Sequence, residues 1–128
     1  MSKNLKTSSE WFKQAEYDLD TADSMFQTGR YIYTVFMCHL SIEKALKGHH
    51  ANKHNDDPPK THDLTYLAQK LALKLSEAHQ EFLEELNDLS VPTRYPDELD
   101  SLLKHYKKEK VKKILDRTRE LFLCLQKI

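Results

Sequence analysis

The sequence predicts an all-α fold, an up-and-down helical bundle of about five helices with a four-helix core and a short extra helix. The chain of 128 residues contains only two Gly and four Pro, whereas the helix-favouring residues Leu, Lys, Glu and Ala are abundant. Apolar residues also recur at the three- and four-residue spacing of helix faces. We expect one domain over residues 1–128, with residues 1–7 forming a flexible N-terminus.

The first two helices form a hairpin. Thr7 followed by Glu10 has the spacing of a capping box and predicts a helix over residues 8–28, which ends at Gly29. The second helix is predicted from about Arg30 to His50. Because the link between them is so short, the two helices must pack antiparallel. The apolar face of the first helix comprises Trp11, Phe12, Ala15, Leu19, Ala22 and Phe26.

A turn-rich stretch over residues 52–60 predicts an exposed loop, because its two prolines remove backbone donors. Thr61 can cap a third helix. The leucine stripe of this helix is Leu64, Leu67, Leu71 and Leu75, and a fourth helix follows from about Ser76.

Pro92 and Pro96 predict a break over residues 90–97, because two prolines four positions apart exclude a continuous helix. A short helical stretch follows near Asp97 to Leu103. The last helix has one apolar side, which comprises Val111, Ile114, Leu115, Thr118, Leu121, Phe122 and Leu125.

The net charge is zero, but the charges are segregated along the chain. Residues 77–100 hold eight acidic side chains against Arg94 alone, and residues 104–119 hold eight basic side chains against two acidic ones. This asymmetry allows solvated faces of antiparallel helices, pairing of the two segments within or between subunits, or a basic face offered to phosphates. Basic and aromatic residues do not alternate in the manner typical of single-strand binding.

The two cysteines, Cys38 and Cys124, each lie in an apolar helical pattern and are expected to be buried, reduced thiols. No segment approaches the roughly 18 consecutive apolar residues that a membrane span needs. We therefore expect a cytoplasmic protein that does not contact a membrane.

Three ionisable residues form a stripe along the second helix. His39, Glu43 and Lys47 are spaced i, i+4 and i+8 and border the apolar face of the helix. Ionisable residues in such a setting indicate a site where charge is used, either for catalysis or for recognition.

Arg94 and Tyr95 lie between the two prolines, in a segment whose stiffness lowers the entropic cost of presenting a guanidinium. Such an Arg suits carboxylate or phosphate oxygens, and Tyr95 suits stacking on a ring. The alternative is structural, with Arg94 capping the fourth helix or pairing with Glu43 or Asp97.

His62 lies at the predicted start of the third helix, where free amides attract anions, and it could act as acid, base or switch. The alternative is that it only packs the helix entry. His50 and His54 have the spacing of a two-imidazole metal site, but no Cys or carboxylate completes a ligand set. We expect no metal and no cofactor. A phosphate-binding glycine loop and a serine nucleophile elbow are both absent from the sequence.

Four segments together resemble the HEPN (higher eukaryotes and prokaryotes nucleotide-binding) domain family over about residues 8–127. They are residues 11–19, residues 29–47 with Glu-Lys-Ala-Leu-Lys at 43–47, residues 58–64 with Thr-His-Asp-Leu at 61–64, and Arg-Tyr-Pro-Asp at 94–97. The resemblance implies an all-α bundle that frequently dimerises. It also implies RNA cleavage, nucleotide binding, or a toxin–antitoxin pair with a minimal nucleotidyltransferase.

Ribonuclease members of the family have an Arg followed, after four to six residues, by a His. Here eight residues separate Arg30 from His39, ten separate Arg94 from His105, and no His follows Arg117 or Arg119. The chain is similar instead to the branch marked by the Glu-Lys-Ala-Leu-Lys and Arg-Tyr-Pro-Asp signatures. For that branch the resemblance implies partnership or ligand binding more than catalysis.

The resulting hypothesis is a homodimeric binding module that acts with a nucleotidyltransferase-like protein and binds a nucleotide or RNA phosphate, without specific readout of DNA. A lysine and Arg94 would bind phosphate oxygens, and Glu43 would orient Arg94. The alternatives are a ribonuclease with His62, Arg94 and His105 as catalytic residues, or a structural or metal-handling dimer. The predicted ligand-binding residues are Glu43, Lys44, Lys47, His62, Arg94 and Tyr95.

Overall fold

The structure is a computed structural model that describes residues 5–95 and 98–128. The predicted all-α fold is confirmed, because every regular element in these residues is a helix. Four helices are long, and α3 and α5 have seven residues each. Part of the predicted flexible N-terminus, residues 1–4, lies outside the described residues. The helices are α1 (Ser8–Gln27), α2 (Tyr31–His54), α3 (Leu64–Lys70), α4 (Glu77–Arg94), α5 (Leu99–His105) and α6 (Lys108–Gln126).

Helix α2 is central and contacts each of the other five described helices. Its closest partner is α1, which begins as predicted because Thr7 Oγ1 accepts a hydrogen bond from the Glu10 amide at 3.0 Å. Gly29, with φ of 78°, provides the left-handed turn between the helices. At Gly48 the helices approach closely, since a Cβ there would lie 2.8 Å from the Phe12 ring.

The third helix differs from its prediction in both cap and length. Asp63, not Thr61, is the N-cap, because its Oδ1 accepts hydrogen bonds from the amides of Thr65 and Tyr66. Thr61 instead accepts a bond from the Asp63 amide at 3.1 Å. The helix ends at Lys70, and Ala72 has a left-handed φ of 54°. Leu75 is therefore buried outside the helix.

The predicted break at residues 90–97 starts later than expected, because α4 continues through Pro92 to Arg94. A proline lacks the backbone N–H that would donate a helical hydrogen bond. In the last turn of a helix few turns follow the proline, so the disruption is small. The Tyr95 amide still donates to the Val91 carbonyl at 2.9 Å. Arg94 is thus the last residue of a helix and not part of a loop between prolines. Pro96 and Asp97 lie outside the described residues.

The core forms where α2 meets α1, α4 and α6. Burial of Cys38 raises the pKa of its thiol to about 12, and Cys124 is half-buried; both are free thiols. All seven residues predicted for the apolar side of α6 are buried.

The acidic and basic segments meet within the chain at one described ion pair, in which Arg117 Nη1 lies 3.1 Å from Glu85 Oε2. Both side chains are partly exposed, so this pair contributes little to stability. Among the described residues, none of the helices has the length and apolarity to span a membrane.

Candidate functional site

The candidate site is organised around Glu43, a carboxylate on α2 that is only 4% exposed. Its Oε1 lies 2.8 Å from His62 Nδ1 and 3.6 Å from Arg94 Nη2. Its Oε2 accepts a bond from Lys47 Nζ at 3.0 Å. One buried anion therefore joins three groups from α2, the α2–α3 loop and the end of α4.

His39 lies one turn before Glu43 and is buried at 1% exposure. Its Nδ1 accepts a hydrogen bond from Arg94 Nη2 at 3.1 Å. An Nδ1 that accepts requires the proton on Nε2, which lies 3.4 Å from Asn87 Oδ1. Burial lowers the pKa of His39 to about 4, and the Arg94 charge adds to this effect. His39 is thus neutral at neutral pH.

Arg94 is held on several sides. Its side chain is 15% exposed, and its guanidinium carbon lies 4.8 Å from the centre of the Phe36 ring. His39 and Glu43 both lie against Nη2, whereas the buried Nε has no hydrogen-bond partner among the described residues. The guanidinium is therefore pre-positioned, which lowers the entropic cost of binding an anion.

Asn87 on α4 ties the loop before α3 to the site. Its Oδ1 accepts a bond from the Leu64 amide at 2.9 Å, and its Nδ2 donates to Asp63 Oδ1 at 2.9 Å. The bond from the Thr65 hydroxyl, with further bonds from Asn87 and two amides, lowers the pKa of Asp63. Hydrogen bonds thus fix the loop that carries His62.

A cavity of about 410 Å³ opens beside this cluster. His39 lines it from α2, and His62 and Asp63 line it from the loop. The end of α4 contributes Asn87, Asp88 and Arg94, and Tyr95 follows directly after the helix. Tyr95 is 76% exposed. The cavity is therefore a ligand-sized space lined by a guanidinium, one buried and one exposed imidazole, two carboxylates and an exposed aromatic ring.

The structure brings together Glu43, Lys47, His62 and Arg94, four of the six residues predicted to bind a ligand. Tyr95 lines the same cavity. Lys44 is separate, because its Nζ pairs with Asp18 Oδ2 at 2.8 Å.

Two predicted histidines are located differently from the sequence hypotheses. His62 lies two residues before α3, and not at its first turn, and its side chain is 58% exposed. Its contact is with Glu43 and not with helix amides. His105 is exposed, contacts Lys110 Nζ at 3.1 Å and does not line the cavity with Arg94.

The predicted ligand-binding residues omit His39, Asp63 and Asn87, although the sequence placed His39 on the charged stripe of the second helix with Glu43 and Lys47. The i, i+4 spacing of His39 and Glu43 was a usable signal, because such residues lie on one helix face. No sequence pattern predicted a role for Asn87, because its contacts join segments that are distant in the sequence.

The described residues contain no group of three or more metal-ligating side chains in a suitable arrangement. His50 Nε2 instead contacts Asp56 Oδ1 at 2.6 Å, and the rings of His50 and His54 have centroids 4.5 Å apart and planes tilted by 40°.

The chemistry available at the cavity is anion binding with one proton-transfer group. Arg94 supplies a fixed positive charge. His62 is bonded at Nδ1 to Glu43, and within the described part of the chain its Nε2 has no hydrogen-bond partner. That nitrogen can donate to an anion when protonated or accept a proton when neutral.

Comparisons with known proteins agree on the fold. The chain matches the HEPN domain family over residues 8–128. The crystal structure of TT1696 from Thermus thermophilus is similar, with a TM-score of 0.81 and 23% identity over 96% of this chain and 98% of that one. The crystal structure of ST0689, an archaeal HEPN homologue, has a TM-score of 0.75 and 22% identity over 95% and 97%. No curated protein matches the sequence.

Proposed function

This chain belongs to the HEPN domain family, and we propose that it is a single-domain binding module that takes a nucleotide or RNA phosphate in the cavity beside Arg94. The observation that carries the proposal is the buried Glu43, which contacts both Arg94 and His62 where the cavity opens. Two phosphate-binding groups are thereby fixed before a ligand arrives. Such pre-organisation favours recognition.

Tyr95 supports a nucleotide over a bare phosphate. Its side chain lines the cavity directly after Arg94 and is 76% exposed, so its ring is available to stack on a base. Stacking of a base on an aromatic side chain is worth roughly 1–3 kcal/mol.

The proposal includes a homodimer that acts in the cytoplasm with a minimal nucleotidyltransferase, in a toxin–antitoxin-like pair. Four apolar side chains at the end of α4, directly after it and on α5 support a protein partner, because each is more than half exposed. They are Val91, Tyr95, Leu99 and Leu103.

RNA cleavage is the second candidate function, and the contact between His62 Nδ1 and Glu43 favours it. A carboxylate at Nδ1 orients an imidazole for proton transfer at Nε2, with Arg94 available to stabilise charge on phosphate. Cleavage by proton transfer commonly needs both an acid and a base. His39 is a poor second group, because it is buried and its Nδ1 is occupied by Arg94. Binding is therefore the better supported function.

The binding proposal is tested by calorimetric titration of the purified protein with AMP and with a short single-stranded RNA. We expect Arg94→Ala to weaken binding at least tenfold, because a charge-assisted hydrogen bond is worth about 1.5–3 kcal/mol. Arg117→Ala is the matched control, since Arg117 pairs with Glu85 outside the cavity. Equal affinities of the wild type and Arg94→Ala would reject the site.

Incubation with mixed RNA in the presence and absence of a chelator separates binding from cleavage. The binding proposal predicts no products beyond those of an Arg94→Ala control. Cleavage that is lost in His62→Asn would establish the ribonuclease alternative instead.

The partner proposal is tested by purification from the native cell and by light scattering of the pure protein. Enrichment of a nucleotidyltransferase and a mass of two subunits are expected. A monomer that enriches no such protein would contradict this part of the proposal.

A further inference from the structure

The charges that line the cavity limit what ligand it can take. Arg94 is its one fixed cation among the described lining residues, and Asp63 and Asp88 are both carboxylates. Glu43 and Lys47 do not line the cavity, and they are paired with each other at 3.0 Å. The lining therefore holds no excess of positive charge, even when His62 is protonated.

This balance of charges in the lining favours a ligand with one phosphate and disfavours a ligand with several linked phosphates. A single phosphate can contact Arg94 and His62 while it stays away from the carboxylates. The additional phosphates of a triphosphate would bring further negative charges into a cavity whose described lining offers them no second fixed cation. Like charges at close range inside a protein repel more strongly than in water.

The side chain of Asp63 has one carboxylate oxygen available to accept hydrogen bonds from a ligand. Its hydrogen bonds from the Thr65 amide and hydroxyl, the Tyr66 amide and the Asn87 amide group all go to Oδ1. Oδ2 takes none from the described residues. The carboxylate is thus held rigidly with one oxygen available.

Asp88 provides a second acceptor on the same lining. It follows Asn87 on α4 and is exposed. Ionised carboxylates only accept hydrogen bonds, so the part of the ligand that faces Asp63 and Asp88 must carry donors. Ribose hydroxyls are such donors, and the 2′-hydroxyl distinguishes RNA from DNA.

We infer that the cavity takes a single ribonucleotide phosphate unit, with Arg94 and His62 on the phosphate and Asp63 and Asp88 on the ribose hydroxyls, and that it discriminates against triphosphates and deoxyribonucleotides. This inference rests on the proposed function. The unit could come from a free nucleoside monophosphate or from a nucleotide within RNA, which share this chemistry.

The test compares the affinities of the full chain for AMP, dAMP, ATP and an RNA tetranucleotide without terminal phosphates, all in EDTA so that no metal bridges the carboxylates. We expect dAMP to bind roughly three- to tenfold more weakly than AMP, which corresponds to one lost hydrogen bond. ATP should also bind more weakly than AMP. The higher of the AMP and tetranucleotide affinities identifies the source of the unit.

Asp88→Asn tests the electrostatic part, because it removes a charge and keeps the shape of the side chain. It should raise the affinity for ATP relative to AMP severalfold. Asp63→Asn should reduce the preference for AMP over dAMP and still cap α3, since Asn is also a good N-cap residue. Glu81→Gln is the matched control, because Glu81 is exposed on α4 and does not line the cavity.

The outcomes separate this inference from the proposed function. If none of the four ligands binds, the proposed function fails. If AMP binds with an Arg94-dependent affinity but ATP or dAMP binds equally well, the proposed function stands and the inference is overturned. If the ratio of the affinities for ATP and AMP were the same in Asp88→Asn as in the wild type, the electrostatic argument would be overturned.

Discussion

His39 Nδ1 accepts a hydrogen bond from Arg94 Nη2 across 3.1 Å, and the two residues are 55 positions apart in the chain. The bond requires a neutral imidazole, since a proton on Nδ1 would face the N–H of the guanidinium. The buried histidine therefore acts as a fixed acceptor that holds the binding guanidinium in place.

Acid should destabilise the protein through His39. Burial lowers its pKa from 6.5 to about 4 in the folded chain, so between these pH values the unfolded state binds a proton that the folded state does not. The free energy of unfolding should thus fall by roughly 3 kcal/mol as the pH drops through this window. Urea unfolding at pH 7 and pH 4 measures the loss.

The variant His39→Gln removes the titrating group and separates this effect from that of the carboxylates. The drop in stability between pH 7 and pH 4 should shrink in His39→Gln and stay unchanged in the control His105→Gln, whose histidine is exposed. A wild-type drop that His39→Gln does not reduce would show that His39 is not responsible.

Removal of the Glu43 charge should destabilise the fold as well as the site. Glu43→Gln keeps the shape of the side chain but leaves Lys47 and Arg94, which are 12% and 15% exposed, without their carboxylate. Breaking a buried ion pair costs about 3–5 kcal/mol, and we expect a loss at or below the lower end because both cations retain some solvent contact. Urea denaturation of Glu43→Gln against the exposed control Glu81→Gln measures the difference. Equal losses in the two variants would contradict the central role of Glu43.

Asn87→Ala should loosen the loop that carries His62. The change removes the acceptor of the Leu64 amide and the donor to Asp63, both at 2.9 Å. Hydrogen exchange of the Leu64 amide should therefore accelerate more than that of amides in the middle of α6. Protection of Leu64 that is unaffected by the substitution would mean that the loop is fixed by other contacts.

Gly48→Ala should destabilise the hairpin of α1 and α2, although alanine is more favourable than glycine inside a helix by about 1 kcal/mol. The added Cβ would lie 2.8 Å from the Phe12 ring and 3.2 Å from Trp11 Cβ. Overpacking of this kind costs about 1–3 kcal/mol. A lower melting temperature is expected, whereas an increase would show that the ring moves aside freely.

The parts of the fold that could be predicted from sequence depend on local patterns. Helix α6 has a clear apolar side, so all seven of its predicted core residues are buried. The sequence predicted Thr61 as the cap of the third helix, whereas Asp63 is the N-cap. The choice of Asp63 over Thr61 is supported by Asn87, which is 24 positions away and donates to Asp63. A rule for prolines inside helices was wrong for Pro92, because this residue lies in the last turn of α4.

In the candidate site, too, contacts within one helix could be predicted from sequence, whereas contacts between helices could not. The pairing of Glu43 with Lys47 follows from their i, i+4 spacing. Lys44 could have been set apart from Glu43 on the same ground, since adjacent residues on a helix point in different directions; it pairs with Asp18. The contacts of Arg94 with His39 and Glu43 arise only when α2 and α4 pack together, so no local pattern predicts them.

The most direct test of the account is a nuclear magnetic resonance titration of the ¹⁵N-labelled protein with AMP. The largest changes in amide chemical shift should fall in residues 61–65 and 87–95, and Arg94→Ala should abolish them. Changes centred on α6, or changes of the same size in the Arg94→Ala variant, would contradict the claim that the cavity beside Arg94 is the binding site.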